Sequence, residues 1–312
     1  MPVVSTSDER FRAAVADLHV PVMGTETVAP LLATLIKLVR PRRVLEVGMG
    51  YTTPFLAAAL AEVAAQVRAE SPALAAKTRP YLDADTPLTE EWLNTTPALL
   101  APEFYRAAYA PRLVAVDDLS IPESSSGRVL RVLRDLGLDH LVTVVNANLR
   151  DCVDRFPAGF DPIDFAWIDA WDCLYFFDNF FELVNPDGGL MVMHYLMTYP
   201  EGEGFLRYLA TQQRSRPGEF EIVNLLEPHK LTQNSITVIR RTSGVVARRY
   251  AEPGGGLSFG EPLRAAAHAA TALALADPAA PATDSNGPAE NQLPGESSVS
   301  ARPRRAAAVP DG

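Results

Sequence analysis

The chain has 312 residues, of which 47% are apolar and 21% charged, as in a soluble globular protein that can build a sizeable core. Its formal net charge of −10 argues against a nucleic-acid partner, because proteins that bind phosphates carry a basic surplus or stripe. The two cysteines, Cys152 and Cys173, form no Cys-x-x-Cys motif, which argues against a disulfide framework or a structural zinc site. Without an apolar leader or an apolar run of about eighteen residues, we expect a cytoplasmic protein with no membrane partner.

Helical and strand patterns alternate along most of the chain. Apolar residues at helical spacing precede Pro41, and the run 44–47 is a short apolar strand followed by a helix over 54–67. Strands are then predicted at 113–116, 142–145, 164–168 and 189–193, with helices at 126–136, near 150–156 and at 175–184. This alternation predicts a parallel sheet covered on both faces.

The end of the folded part departs from that rhythm. Strand 220–226 is followed after a short loop by strand 235–240, with no room for a crossover helix, so these two strands are predicted to pair antiparallel. From about residue 251 the chain becomes rich in Ala, Pro, Gly and Ser, which predicts a mostly disordered tail over 246–312. Within that tail, 262–276 is compatible with a short Ala-rich helix.

The segment 68–111 interrupts the alternation as a helical insertion. It runs from a helix back to a strand, so it lies at the edge of the sheet opposite the ligand-binding edge. Its aromatic residues Trp92, Phe104, Tyr105 and Tyr109 are therefore predicted to serve packing or dimerisation. A substrate lid is the alternative, if the segment wraps around or reaches a neighbouring subunit.

A glycine turn after the first strand carries the main functional signal. Gly48 and Gly50 lie between a strand and a helix, where backbone can approach a ligand closely. Glu46 precedes the turn, and Thr52 occupies the region where a dinucleotide-binding turn would carry its third glycine or alanine. The pattern thus disfavours a nicotinamide enzyme and favours another nucleotide ligand.

Polar residues also follow the second and third strands. Asp117 and Asp118 are adjacent, so only one can point inward; Asp117 is predicted to accept ribose hydroxyls and Asp118 to be solvated. Asn148 could read an adenine edge with its donor and acceptor, or could simply be a turn residue.

In order and spacing, these motifs resemble the class I S-adenosylmethionine methyltransferases, and within them the small-molecule O-methyltransferases of the catechol and caffeoyl-CoA type. The resemblance covers roughly residues 23–241 and includes the run 164–171, Asp-Phe-Ala-Trp-Ile-Asp-Ala-Trp. It implies an α/β fold, a Rossmann-like three-layer sandwich with a mostly parallel seven-stranded sheet ending in an antiparallel hairpin. It also implies S-adenosylmethionine as cofactor, with Gly48 and Gly50 near its methionine part, Asp117 near the ribose and Asn148 near the adenine.

The chain departs from the metal-dependent members of that family. There, the counterpart of Asp169 is one ligand and an Asp-Asn pair after the fifth strand completes the site; here His194 and Tyr195 stand in that place. Losing two oxygen ligands removes most of the affinity for magnesium, so we predict a metal-free mechanism. A softer metal site formed by Asp169 and His194 is the minority alternative.

Catalytic and acceptor-binding residues are predicted at the same edge. His194 is the candidate base, with His229 second, and its alternative role is that of a hydrogen-bonded core histidine. The catalytic group is completed by Asp169, which also contacts the cofactor, and by Tyr195. Acids beside aromatic rings suit a cationic or amphipathic acceptor, although any single residue could equally cover the sheet or belong to a solvated loop. The predicted cofactor-binding residues are Glu46, Gly48, Gly50, Thr52, Asp117, Asn148 and Asp169, and the acceptor-binding residues are Trp171, Asp172, Tyr175, Glu227, His229 and Asn234.

Together these features predict an enzyme that methylates an oxygen or nitrogen of a small molecule, in bacterial secondary metabolism and as a homodimer. The predicted organisation is a helical cap over 1–43, the methyltransferase domain over 44–245 and the tail. Two alternatives stay open: an aminopropyl or other group transferase, for which Asp169 with Asp172 is a partial match, and a non-catalytic cofactor-binding dimeric scaffold.

Overall fold

A seven-stranded sheet in the order β3-β2-β1-β4-β5-β7-β6 forms the centre of the computed structural model, which describes residues 4–121, 124–231, 234–243 and 261–276. The strands are β1 Arg43–Val47, β2 Arg112–Asp117, β3 Val142–Asn146, β4 Phe165–Ile168, β5 Leu190–His194, β6 Phe220–Glu227 and β7 Asn234–Arg241. The first five pair in parallel, and β7 pairs antiparallel with both β5 and β6. The predicted α/β sandwich with its final hairpin is confirmed.

Helices cover both faces of this sheet. They are α1 Glu9–Val15, α2 Thr25–Val39, α3 Thr52–Asp83, α4 Glu90–Asn94, α5 Ser126–Leu136, α6 Cys173–Phe180, α7 Pro200–Ser215 and α8 Glu261–Leu275. The helix predicted near 150–156 is instead two 3₁₀ turns, Leu149–Asp151 and Val153–Arg155. Across the described residues, no helix has the length and apolar character needed to cross a membrane.

Alternation along the strands divides the core into two layers. In β4, Phe165 and Trp167 pack on the side of α2, α3 and α5, whereas Ala166 and Ile168 pack on the side of α6 and α7. Strands buried on both faces are expected to be apolar throughout, as β4 is. By the same period of two, the last residue of β5, His194, projects toward the α2 and α3 side.

Helix α3 is longer than predicted and organises a third apolar cluster. It continues beyond residue 67 through Pro72 and Pro80 to Asp83. Burial compensates for the backbone hydrogen bonds that the prolines remove, because Leu74 and Trp92 pack there in a cluster that α8 covers. The cluster comprises Val63, Val67, Leu74, Leu88, Trp92, Tyr105, Ala267 and Ala270.

This cluster bears on two predictions. The insertion aromatics Trp92 and Tyr105 are buried, at 0% and 3% exposure, as a packing role requires. The helix considered at 262–276 is present as α8, while the rest of the predicted tail, 246–260 and 277–312, lies outside the described residues. The division into cap, domain and tail stays a prediction.

Candidate active site

The glycine turn after β1 packs directly against the end of β4. Gly48 has φ of +93°, and a Cβ at this position would lie 3.0 Å from the backbone oxygen of Asp169. Its N–H donates to the carbonyl oxygen of Val116 at the end of β2, at 2.9 Å. A Cβ at Gly50, by contrast, would meet no protein atom within 4 Å. Gly48 thus closes the turn onto the sheet, and Gly50 leaves open space beside it.

Glu46 and Thr52 lie beneath this turn. Glu46 is fully buried, and Thr52 is 1% exposed. The Thr52 hydroxyl donates to Glu46 Oε1 at 2.6 Å. The other oxygen, Oε2, has no partner among the described residues. Burial raises the pKa of Glu46 to about 8, with a smaller contribution from Asp169 and Asp117 and opposition from the Thr52 hydrogen bond. The two residues join β1 to the start of α3, and the cofactor contact predicted for them stays a prediction.

Glu46 gives a pH-dependent prediction. Its folded-state pKa of about 8 lies above the unfolded value of 4.5, so the folded chain binds more protons between these values and loses stability as the pH rises through that window. Glu46→Gln keeps the acceptor oxygen but cannot ionise. We expect the difference in unfolding free energy between Glu46→Gln and wild type to shift in favour of the variant by up to about 1.4 kcal/mol for each pH unit between about pH 5 and pH 8. Denaturant titrations at several pH values measure the gap; parallel curves for the two proteins would contradict the assignment.

The two adjacent acids after β2 point in different directions. Asp117 Oδ2 accepts from the Met49 N–H at 2.7 Å, and its Oδ1 accepts from the Ser126 hydroxyl at 3.0 Å. Asp118 accepts instead from the N–H and the hydroxyl of Ser120 in its own loop, at 3.1 and 2.6 Å. Asp117 is therefore the acid that belongs to the glycine turn.

The two asparagines after β3 are partly engaged in loop contacts. Asn148 Oδ1 accepts from the Arg150 N–H at 3.0 Å and so caps the first 3₁₀ turn, which is the turn role that its sequence pattern also allowed. Asn146 Oδ1 accepts from the Leu119 N–H at 3.1 Å and ties the end of β3 to the loop after β2. Asn148 is exposed at this edge, and its contact with an adenine stays a prediction.

Three polar side chains form a largely buried chain of hydrogen bonds: Asp169 directly after β4, His194 at the end of β5 and Asn234 at the start of β7. His194 Nδ1 lies 2.9 Å from Asp169 Oδ1, and His194 Nε2 lies 2.7 Å from Asn234 Oδ1. The side chain of His194 is 1% exposed, while that of Asp169 is 24% exposed. Asp169 is thus the member of this pair that faces the open edge of the sheet.

The segment 21–27, here called the N-terminal strap, closes over these residues. The Asn234 amide donates to the Gly24 carbonyl oxygen at 3.0 Å, and the Tyr195 hydroxyl donates to the carbonyl oxygen of Met23. Lys230 binds Glu26 at 2.6 Å, a contact that lowers the pKa of Glu26. No local pattern in the sequence points to Gly24, Glu26 or Thr27. Their partners in the last hairpin lie about 200 positions further along the chain, and only folding brings the two segments together.

A second feature of Tyr195 is its backbone. Its φ of +66° is unusual for a residue with a side chain and indicates local strain of the kind that collects at functional sites. Burial raises the pKa of its hydroxyl, so the group stays protonated and donates to the strap. Tyr195 therefore holds the strap, and its predicted catalytic role stays a prediction.

An aromatic cleft of about 420 Å³ opens between the loops after β4 and β5. Trp171, 73% exposed, and Tyr199 meet edge to face with ring centroids 4.8 Å apart at its mouth. A smaller cavity of about 210 Å³ lies between the strap and Lys230, and Tyr195 borders both spaces. The lining of the cleft includes Trp171, His194, Tyr195, Tyr199, Glu201 and Phe205.

The predicted acceptor-binding residues do not all reach this cleft. Asp172 pairs with Arg150 at 3.3 Å, and the Arg150 guanidinium lies 4.3 Å from the centre of the Tyr175 ring. Neither Asp172 nor Tyr175 lines the cleft, because Arg150 holds both on its own side of the edge. The His229 side chain is 73% exposed and lies 3.5 Å from Glu227, which leaves it outside the chain of hydrogen bonds around His194. Of the predicted set, Trp171 borders the cleft, while Asn234 and Glu227 belong to the strap contacts.

Comparison with known proteins supports the fold. No protein-family model matches the chain, and no curated protein matches it. A proposed O-methyltransferase from Klebsiella pneumoniae is 14% identical, with 76% of this chain and 91% of that chain covered and a TM-score of 0.50. The chain has the fold of these methyltransferases.

Two further solved structures are similar. The O-methyltransferase TomG from Streptomyces achromogenes, involved in tomaymycin synthesis and crystallised with S-adenosylmethionine, is 20% identical over 77% of this chain and 93% of that chain, with a TM-score of 0.49. An O-methyltransferase from Bacillus cereus, crystallised with S-adenosylhomocysteine, is 15% identical over 76% and 92%, with a TM-score of 0.49.

The residues present fit a nucleoside cofactor better than they fit a metal ion. Strand order reverses between β1 and β4, and ligands of open parallel sheets bind at the carboxyl edge beside such a switch. Gly50 leaves open space at that point, and Asp117 is held beside it. Among the residues that the structure describes, no three His, Cys, Asp or Glu side chains gather as a metal-binding group.

Proposed function

We propose that the chain transfers a methyl group from S-adenosylmethionine to an oxygen or nitrogen of a small molecule. The observation that carries the proposal is the crevice at the strand switch, where the glycine turn, Asp117 and Asp169 converge. The cofactor would supply an electrophilic methyl group on a sulfonium. The fold of the chain and the open backbone at Gly50 support this choice.

Each part of the crevice has a chemical role in that proposal. The open backbone at Gly50 and the amino end of α3 favour a carboxylate such as that of the methionine part. Asp117 accepts from the Met49 N–H and from the Ser124 and Ser126 hydroxyls, so two ribose hydroxyls would take its remaining lone pair and the place of one serine. Asn148 would face the base. The chain's main task is to hold acceptor and methyl group in attack geometry, which is worth up to about 7–11 kcal/mol.

The acceptor would bind in the aromatic cleft. Its rings offer flat apolar surface, and the neighbouring Glu201 adds a negative charge, so an aromatic or cationic small molecule suits the lining. A bacterial biosynthetic setting in secondary metabolism, a cytoplasmic location and a homodimer belong to the proposal as inferences from the sequence. Metal-free chemistry is likewise proposed from the residues at positions 194 and 195.

Calorimetry with S-adenosylmethionine and S-adenosylhomocysteine tests the proposal. We expect both to bind with dissociation constants in the micromolar range, on the order of −8 kcal/mol. Mass spectrometry then follows methyl transfer to a panel of phenols, alcohols, amines and guanidines. Failure of both nucleosides to bind would refute the proposal.

The same experiments separate the alternatives. An aminopropyltransferase would turn over decarboxylated S-adenosylmethionine and would need a pair of acids after β4, but Asp172 is paired with Arg150 and does not join Asp169. A non-catalytic scaffold would bind the nucleoside yet methylate no member of the panel. No structural observation favours either alternative.

A further inference from the structure

His194 is enclosed by hydrogen-bond acceptors. Its Nδ1 faces the Asp169 carboxylate at 2.9 Å, and its Nε2 faces the side-chain oxygen of Asn234 at 2.7 Å. The histidine residue is 4% exposed and Asn234 is 3% exposed, so water does not freely reach the contact between these two residues, whereas the Asp169 side chain is 24% exposed. Whether each ring nitrogen carries a proton therefore depends on whether the neighbouring atom of Asp169 or Asn234 accepts or donates a hydrogen bond.

The orientation of the Asn234 amide is determined by its other contacts. Its Nδ2 lies 3.0 Å from the Gly24 carbonyl oxygen and 3.4 Å from Glu227 Oε2, both of which only accept hydrogen bonds. A flipped amide would place oxygen against both of these oxygens and leave them without their donor. Asn234 must therefore present its oxygen to His194, and Nε2 must carry a proton.

The other ring nitrogen faces a carboxylate. An ionised Asp169 only accepts, so Nδ1 must also donate, and a ring that donates from both nitrogens is an imidazolium. Aromatic neighbours suit that charge. The Tyr195 ring stacks on the imidazole with centroids 3.5 Å apart and planes at 23°, and the Trp167 ring lies 5.3 Å away on the buried side.

We infer that His194 is a buried imidazolium that positions Asp169, that Asn234 positions His194 in turn, and that His194 is therefore not the proton-accepting base. In this inference His194 takes a different role from that of the base predicted from its place at the end of the fifth strand. It deepens the proposed function and rests on it in one respect: Asp169, whose carboxylate the ring holds, lies against the glycine turn, where the cofactor is proposed to bind. Asp169 Oδ1 is held by the ring, and its Oδ2 accepts no hydrogen bond from the described residues.

Nuclear magnetic resonance of the full chain labelled with ¹⁵N in its histidines tests the inference without any ligand. The chain has five histidines, and the signals of His194 are those lost in His194→Gln. At about pH 7.5, where an ordinary histidine is mostly neutral, we expect both nitrogens of His194 to carry protons. A ring with one unprotonated nitrogen in the wild-type chain would overturn the inference.

Asn234→Leu examines the outer member of the chain. It removes the acceptor from Nε2 while keeping the branched shape and the number of heavy atoms of the side chain, so we expect the His194 signals to change to those of a ring with one proton, on Nδ1. Asn224→Leu is the matched control, because Asn224 lies in the same hairpin and its side chain accepts from the Thr237 hydroxyl, at 2.8 Å. An unchanged His194 spectrum in Asn234→Leu would contradict the positioning role, and the wild-type spectrum stands as the test should that variant not fold.

Failure of this inference is distinct from failure of the proposed function. A chain that binds neither S-adenosylmethionine nor S-adenosylhomocysteine but shows a doubly protonated His194 would lose the function and keep the imidazolium. A chain that binds both nucleosides but carries a singly protonated His194 would keep the function and lose the positioning role.

Discussion

Replacing Gly48 by alanine is expected to cost the chain both stability and S-adenosylmethionine binding, whereas replacing Gly50 by alanine is expected to cost binding alone. Gly48 has φ of +93°, and a Cβ there would lie 3.0 Å from the backbone of Asp169. A side chain in such a conformation costs on the order of 1–3 kcal/mol, before the contact with the β4 backbone is relieved. The turn would have to shift, and the cofactor crevice with it.

Gly50 makes the comparison selective. A Cβ at this position meets no protein atom within 4 Å, so Gly50→Ala should unfold at the same denaturant concentration as wild type. If the cofactor approaches the backbone here, the added methyl group occupies its space, and a clash of about 1–3 kcal/mol weakens binding by roughly ten- to a hundred-fold. Calorimetry with S-adenosylmethionine and denaturant unfolding of both variants measure the two effects. Wild-type affinity in Gly50→Ala would show that no ligand lies against this turn.

The second large effect is expected at Asp117. Asp117→Asn can keep its oxygen on the Met49 N–H and turn its amide to the neighbouring serine hydroxyls, so the glycine turn should survive. The variant loses the charge that would strengthen hydrogen bonds from two ribose hydroxyls, each worth about 1.5–3 kcal/mol with a charged partner. We expect the affinity for S-adenosylmethionine to fall between about ten- and a thousand-fold.

Asp118→Asn is the matched control for this prediction. It makes the same change one residue later, where the carboxylate contacts only Ser120 in its own loop. Its affinity for S-adenosylmethionine should stay within about two-fold of wild type, because the half-buried Asp118 carboxylate bonds within its own loop and away from the glycine turn. Equal losses in the two variants would mean that general charge, and not the inward carboxylate, governs binding.

Local patterns in the sequence predicted much of the fold and the cofactor edge. Strand β1 and its glycine turn were predicted because a short apolar run followed by glycines indicates a strand and a turn in any sequence context. The β6–β7 hairpin followed from the short connection between the strands, which leaves only antiparallel pairing. These are properties of neighbouring residues and need no knowledge of the rest of the chain.

The remainder depends on contacts between distant parts of the chain. The continuation of α3 through Pro72 and Pro80 goes against local preference and is stabilised by burial against α8. The hydrogen bond from Asn234 to Gly24 joins residues 210 positions apart, and no periodic pattern in the sequence predicts it. For the same reason the role of His194 could not be predicted from its position at the end of β5. The protonation of its ring depends on the orientation of the Asn234 amide.

Helix α8 changes where the folded part of the chain is taken to end. Composition alone would place a boundary near residue 245, and a shortened protein made on that basis would lack Ala267 and Ala270. Those two residues cover the apolar cluster around Leu74 and Trp92, so the shortened protein would present this surface to solvent as a ready site for self-association. A low-complexity segment of the sequence can thus contribute residues to the apolar core. The chain expressed for crystallisation should therefore extend at least to residue 276.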